Sequence, residues 1–210
     1  AIGRSDGRDV PMRVVAGCDG VADDNVARRV DAFEAVTGTA RAWVGPLTVQ
    51  ALYTLRRQSI PTGSFGTIFD RPDNVYEDHR GMLEARFEPR LTDEVELRTR
   101  AYVNFYEFHL DYFYDAEDEV TGAPFEQRFR EAYQGVWTGG EARVVAHVVP
   151  QLRISGGVEG SYHPVVSLDA DQTESDGSLA RVLGLRRPYG VLAGYALADW
   201  EPVRELRVSL

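Results

Sequence analysis

The sequence predicts an all-β chain: the wall of an antiparallel, up-and-down transmembrane barrel, with about eight long strands, short periplasmic turns and long extracellular loops. Three observations predict it. Apolar residues recur at every second position from Ala32 onward, the connections alternate between short and long, and the longest two-faced run exceeds what soluble sheets use.

Composition removes several alternatives. With 210 residues the chain is long enough for one ordinary globular domain, so length alone decides nothing. No stretch approaches the roughly eighteen apolar residues of a membrane helix, and mean hydropathy is -0.31, which excludes a helical membrane protein. A net charge of -10 argues against a nucleic-acid partner, because phosphate neutralisation needs clustered Lys and Arg. The single cysteine, Cys18, cannot form an internal disulfide. Val15-Ala16-Gly17-Cys18 superficially matches a lipoprotein cleavage box, but Arg8, Asp9, Pro11 and Arg13 stand where the apolar stretch should be, so a loop cysteine is expected.

The elements follow in chain order. Residues 1–31 are expected to be a loop region preceding the strands, and residues 32–210 an incomplete barrel domain. Ala32 to Val44 is the first strand. Leu47, Val49, Ala51, Tyr53 and Leu55 oppose Thr48, Gln50 and Thr54, and Leu83, Ala85 and Phe87 oppose Glu84, Arg86 and Glu88. In the run from Glu94 to Tyr114, Val95, Leu97, Thr99, Ala101, Val103 and Phe105 oppose Glu94, Glu96, Arg98, Arg100 and Asn104. Val136, Thr138, Gly140, Ala142, Val144, Ala146 and Val148 oppose Glu141, Arg143 and His147; Leu152, Ile154, Val158 and Tyr162 oppose Arg153, Ser155 and Glu159. Tyr189 to Trp200 and Val203 to Leu210 complete about eight strands. The expected lipid-facing set is Val49, Ala51, Val95, Leu97, Val103, Phe105, Val144, Ala146, Ile154 and Val158.

A soluble sandwich also alternates, with one face in a core. Connection lengths argue for the membrane. Gly45-Pro46, Pro89 to Asp93, the surroundings of Pro150, and Glu201-Pro202 are tight, whereas Gln58 to Asp78, Asp115 to Arg130 and His163 to Pro188 are long and rich in Gly, Asp, Glu and Pro. Strand length argues the same way. Glu94 to Tyr114 would span roughly 70 Å at about 3.3 Å per residue, and its apolar face covers about the eleven residues a tilted strand needs to cross hydrocarbon. Beyond Phe105 that face turns polar at Glu107, His109 and Asp111, which puts Phe105 and Tyr162 at the outer rim and Phe87 at the inner one.

Four stretches carry a family likeness: Ala1-Ile2-Gly3-Arg4-Ser5-Asp6-Gly7-Arg8-Asp9, Gly45-Pro46-Leu47-Thr48-Val49-Gln50-Ala51-Leu52-Tyr53, Ile60-Pro61-Thr62-Gly63-Ser64-Phe65-Gly66-Thr67-Ile68-Phe69, and Tyr195 to Leu210. In this order they resemble TonB-dependent outer-membrane receptors. The resemblance implies a barrel of about twenty-two strands, a plug domain inside it, a TonB-type energy transducer reached through an N-terminal region, and uptake of a scarce small nutrient such as an iron–siderophore complex. It places the protein in the bacterial outer membrane, with outer-membrane lipid as a partner. This chain is expected to be a fragment of the wall, without plug or TonB box.

A barrel wall gives no reason to expect an enzyme, a cofactor or a metal. His79, His109, His147 and His163 lie far apart and outside any His-Glu-x-x-His pattern, and no nucleophile elbow or phosphate loop occurs. Asp169 to Gly177 invites a calcium reading, but the sixth loop place, where that pattern needs glycine, is Glu174; with the acidic residues Asp115, Glu117, Asp118 and Glu119 it is expected to be solvated loop tip. The ligand-facing candidates are on the polar face. Tyr102, Tyr106, Phe108 and Tyr112 rise toward the outer mouth, where they would stack on a ligand or pack on a plug or folded loop, and Arg98 and Arg100 would meet carboxylates of a plug or an anionic ligand. Competing readings are a passive porin or a small eight-stranded barrel, which need no plug or energy partner, and a soluble β-protein.

Overall fold

The computed structural model describes residues 1–12, 25–203 and 205–210; Cys18 and the box around it lie outside the described residues. Among the described residues the strands are β1 (Ile2–Ser5), β2 (Arg8–Pro11), β3 (Val26–Val30), β4 (Phe33–Val44), β5 (Leu47–Ser59), β6 (Val75–Phe87), β7 (Val95–Glu117), β8 (Pro124–Val149), β9 (Leu152–Thr173), β10 (Leu179–Arg186), β11 (Tyr189–Val203) and β12 (Leu206–Ser209). One open antiparallel sheet runs β1-β4-β5-β6-β7-β8-β9-β11-β12, with β10 paired to β9. This is the up-and-down order that the alternating hairpins predict. All eight expected strands are present, as β4 to β9, β11 and β12.

Residues 1–31 do more than precede the sheet. β1 pairs with the start of β4, from Ile2↔Val36 to Ser5↔Phe33, and β2 pairs with β3 in a two-stranded sheet of its own. Four-residue strands carry too little alternation to be read from sequence; β1 is held by the ladder β4 offers.

The sheet is one layer thick. Among the described residues the buried apolar side chains are only Ala27, Ala32, Tyr112, Val145 and Ala170. The accessible surface is 13882 Å², against roughly 9,700 Å² for a compact soluble protein of this mass. Burial is also inverted with respect to a soluble sheet: Val103, Val144, Ile154 and Val158 are 42–57% exposed, while Glu84 and Asn104 on the opposite face are 5% and 8% exposed. Val95, Val103, Val144 and Ile154 therefore form no shared core. An apolar face of this kind has no partner within the described residues.

The ends of that face are aromatic. Tyr53, Phe105 and Tyr162 stand exposed toward the long connections, and Phe87 and Trp200 toward the short turns. Tyr53 lies 6.3 Å from Phe105 and its hydroxyl reaches Nδ1 of His79 at 3.1 Å. His79 faces Glu107 across β6 and β7, and Gln134 Nε2 donates to Glu107 at 3.2 Å. The face thus changes from apolar to polar within one residue pair.

Two of the three long connections are built differently from loops. Asp115 to Arg130 continues as paired β7 and β8 up to Glu117↔Pro124, and His163 to Pro188 continues as β9 and β10 up to Thr173↔Leu179. Polar residues on both faces erase the alternation there, but a ladder needs only backbone groups. A second reason is a slip in β9. Between Val136↔Val165 and Thr138↔Tyr162 that strand holds one extra residue, at His163-Pro164, so its outward set changes from Ile154, Val158 and Tyr162 to Val165, Ser167 and Asp169. On the far side β10 and β11 act as one strand interrupted at Arg187-Pro188, with Arg187 N–H donating to the Val166 carbonyl at 3.1 Å.

Residues 60–74 do form a loop, and it is pinned at several points. Asn74, 0% exposed, donates from Nδ2 to the Ile68 carbonyl at 3.0 Å and accepts the Phe113 N–H on Oδ1 at 2.9 Å. Arg28 pairs with Asp70 at 2.5 Å, and Arg71 makes a bidentate pair with Glu126 at 2.6 and 3.0 Å.

Three glycines make room for rings on the neighbouring strand. Gly81 faces Phe105, Gly139 faces Tyr102, and Gly157 faces Tyr195. A Cβ at Gly139 would lie 2.6 Å from the Tyr102 hydroxyl and 2.7 Å from the Gly160 carbonyl oxygen, whereas one at Gly38 would meet nothing within 4 Å. Gly139→Ala is therefore expected to destabilise the sheet by about 1–3 kcal/mol, and Gly38→Ala to leave it nearly unchanged. Urea unfolding of the refolded protein in lipid vesicles measures both; equal midpoints for the two variants would contradict the packing.

Candidate functional site: the polar wall

The polar face is built by the even residues of β5, β6 and β7 and the odd residues of β8 and β11, with β9 following until its slip. Near the short turns it carries a charged belt. One cross-strand row reads Thr48, Arg86, Arg100, Glu141, Glu159, so like charges face each other twice. Residues from the adjoining rows relieve this. Glu84 Oε1 accepts from Gln50 Nε2 at 2.7 Å and from Arg86 Nε at 2.6 Å, and its second oxygen lies 3.9 Å from Arg100. Arg100 Nη2 reaches Glu159 at 3.0 Å and Glu141 at 3.6 Å, and the Tyr195 hydroxyl donates to Glu141.

The two predicted arginines are thus occupied by the wall. Arg98 pairs with Glu96 at 2.8 Å, and Arg100 links three carboxylates while its guanidinium carbon sits 5.1 Å above the Tyr102 ring. Tyr102 lies across the space left by Gly139.

Toward the long connections the face becomes aromatic. Phe108 stacks between Tyr76 at 6.3 Å and Tyr133 at 5.6 Å, so both faces of its ring are covered. Tyr112, 7% exposed, stacks on Phe65 of the 60–74 loop at 6.2 Å and meets Tyr114 edge-on at 6.4 Å. Both take the packing role. Tyr106 differs: it is 37% exposed and borders a cavity of ≈ 450 Å³ with Arg80, Tyr133, Gly135, Trp137 and Leu168. Gly135 is the direct cross-strand partner of Tyr106 and supplies no side chain, which opens the notch between Tyr133 and Trp137. Beside it Trp137, His163 and Tyr189 stack at 5.9 and 4.2 Å across β8, β9 and β11.

Of the six predicted ligand-facing residues, the structure brings Tyr106 to this cavity, places Phe108 and Tyr112 in aromatic stacks above it, and leaves Tyr102, Arg98 and Arg100 in or beside the belt. Sequence reasoning missed Arg80, Tyr133, Trp137, His163 and Tyr189. Tyr133 fell between the expected loop and strand, and the β9 slip hid the side to which His163 points. Parity counted back from Glu141 would have placed Trp137 and Tyr133 on the polar face.

The acidic segments are engaged locally. Asp169 pairs with Arg181 and accepts from Ser167 Oγ at 2.6 Å, and Asp176 accepts the Ser178 N–H at 2.8 Å. Among the described residues no three His, Cys, Asp or Glu side chains converge as a metal site. Asp118 joins two hairpin tips. Hydrogen bonds from the Ser175 hydroxyl, then from the Thr121 hydroxyl and N–H and the Val120 N–H, hold its carboxyl well below the usual carboxylate range.

With this geometry the chain can be set beside known proteins. No protein-family model and no curated protein matches the sequence. Among solved structures it is similar to the ferric yersiniabactin uptake receptor FyuA from Yersinia pestis, with a TM-score of 0.58 at 13% identity. The match covers 85% of this chain and 27% of that one. At this identity the likeness concerns the fold alone, an antiparallel all-β sheet similar to part of a barrel receptor. The chain spans about a quarter of that receptor's length.

Arg100→Ala is expected to lower stability by about 1–3 kcal/mol by leaving carboxylates unpaired, and adding Glu159→Gln should recover part of the loss. Unfolding midpoints in lipid vesicles check both; additive losses would contradict the coupling. The tip contact has a sign in pH. A depressed acid contributes order that is complete above its ordinary value and disappears as pH falls through the depressed one. Ser175→Ala should therefore raise the Asp118 pKa and loosen the tips at a higher pH, read by carboxyl-carbon NMR titration; an unmoved titration would refute the link.

Proposed function

We propose that this chain is part of the barrel wall of a TonB-dependent receptor that imports a scarce small nutrient, such as an iron–siderophore complex, across the bacterial outer membrane. The observation that carries the reading is the inverted burial of a one-layer sheet. Its apolar face needs hydrocarbon, and its polar face carries the structured side chains. The structural likeness to a barrel receptor supports it.

On this reading Val49, Ala51, Val95, Leu97, Val103, Phe105, Val144, Ala146, Ile154 and Val158 meet lipid, the short turns lie in the periplasm and the long hairpins outside the cell. The charged belt faces the plug of the same polypeptide, whose movement is driven by a TonB-type transducer. The nutrient meets the wall above the belt, at the notch bordered by Tyr106 and Arg80, and no bond in it is made or broken.

The test uses the full gene product in its outer membrane. Cells are given radioactive iron as catecholate, hydroxamate and phenolate chelates, with and without the inner-membrane transducer. Transducer-dependent accumulation of one chelate is expected, with Tyr106→Ala and Arg80→Ala each lowering it by about tenfold at limiting concentration. Fractionation into the soluble compartment, or transducer-independent permeation, would overturn the reading.

A further inference from the structure

A second cavity lies on the outward face, apart from the notch beside Tyr106. It measures ≈ 190 Å³ and forms where β1, the end of β3, β4 and β5 meet the 60–74 loop, with Arg4, Asp6, Arg29, Glu34, Arg57 and Ser59 around it. Its position is set by register. Arg4, Glu34 and Arg57 form one cross-strand row, and the next row on the same face is Ile2, Val36 and Leu55, where the apolar face ends. The cavity therefore opens one residue pair beyond the apolar band.

Its charge runs against the chain. The protein carries -10 overall, yet this one cavity is lined by three guanidinium groups against two carboxylates, Asp6 and Glu34. Arg4 pairs with Asp6 at 3.3 Å. Arg29 and Arg57 have no carboxylate within 4 Å among the described residues, and Glu34, between Arg4 and Arg57 in the row, stays beyond that distance from each guanidinium. Arg29 is held by its backbone: it has a left-handed φ of 57°, its N–H donates to Asp9 at 3.2 Å, and its carbonyl accepts from the Ala32 N–H at 3.0 Å.

Two unpaired guanidiniums suit a tetrahedral dianion, because guanidinium forks match phosphate oxygens bidentately. We propose that this cavity binds a phosphate monoester at the edge of the hydrocarbon layer. The phosphate belongs to a lipid headgroup or is free in solution, and the position beside Ile2, Val36 and Leu55 favours the headgroup. The proposal rests on the reading that the outward face meets lipid.

The full chain is placed in phosphatidylcholine nanodiscs and titrated with diphosphoryl lipid A, with its dephosphorylated form and with inorganic phosphate, bound lipid being counted by native mass spectrometry. One tightly bound diphosphoryl molecule is expected, weakened about tenfold or more in Arg29→Gln/Arg57→Gln and partly restored in Arg29→Lys/Arg57→Lys. Glu34→Gln, which removes the facing carboxylate, should tighten binding, so the proposal stays testable even where the arginine variants fold poorly. Competition by millimolar inorganic phosphate supports the site with free phosphate as its source; lack of competition supports the headgroup. Equal binding of the dephosphorylated lipid, or no response to any of the three variants, overturns it. A chain that inserts without phosphate preference removes this proposal alone, whereas one that does not enter the bilayer removes the membrane reading as well.

Discussion

A sheet one layer thick must satisfy its backbone within the layer and has no second layer in which to hide an apolar face. The hairpin ladder from β4 to β12 meets the first demand, because each strand pairs with its neighbours over most of its length. The second is met only by surroundings that differ on the two sides. Hydrocarbon tolerates no unpaired amide, which is why spanning sheets are continuous ladders and why their outer faces are greasy rather than merely neutral. Exposed valines beside buried glutamate and asparagine are the same constraint seen on the two faces.

The inner face then has a problem of its own. Charges placed in register on neighbouring strands repel when alike, and in the row through Arg100 they are alike twice. Interleaving Glu84 between Arg86 and Arg100, and Arg100 between Glu141 and Glu159, turns repulsion into a connected network. The belt consumes its own charge. Above it Gly135 opens a notch among Tyr106, Tyr133 and Trp137, which the charged network leaves free.

Beyond the apolar band the strands keep pairing, so the outer part is a stiff extension of the wall more than a set of free loops. Side-chain contacts cross between neighbouring excursions: Arg28 to Asp70, Arg71 to Glu126, and Ser175 to Asp118. These contacts restrain the outer segments and limit their conformational freedom.

The residue pattern by itself determined the class, the order of hairpins and the faces of the alternating runs 47–55, 83–88, 94–105, 136–148 and 152–162, because period-two alternation records the two solvents a strand touches. It also set the short turns at Gly45-Pro46 and Pro150-Gln151. Three things belonged to the tertiary structure. The extra residue at His163-Pro164 changes the parity of β9, and no alternation rule anticipates where a ladder slips. The paired outer hairpins carry polar residues on both faces, so they read as loops until a partner strand supplies their hydrogen bonds. The fates of Arg98 and Arg100, and the notch beside Tyr106, depend on which residue lies across the sheet: a carboxylate consumes an arginine, and a glycine leaves a space. Sequence spacing tells which side a residue is on, but only register tells what it meets there.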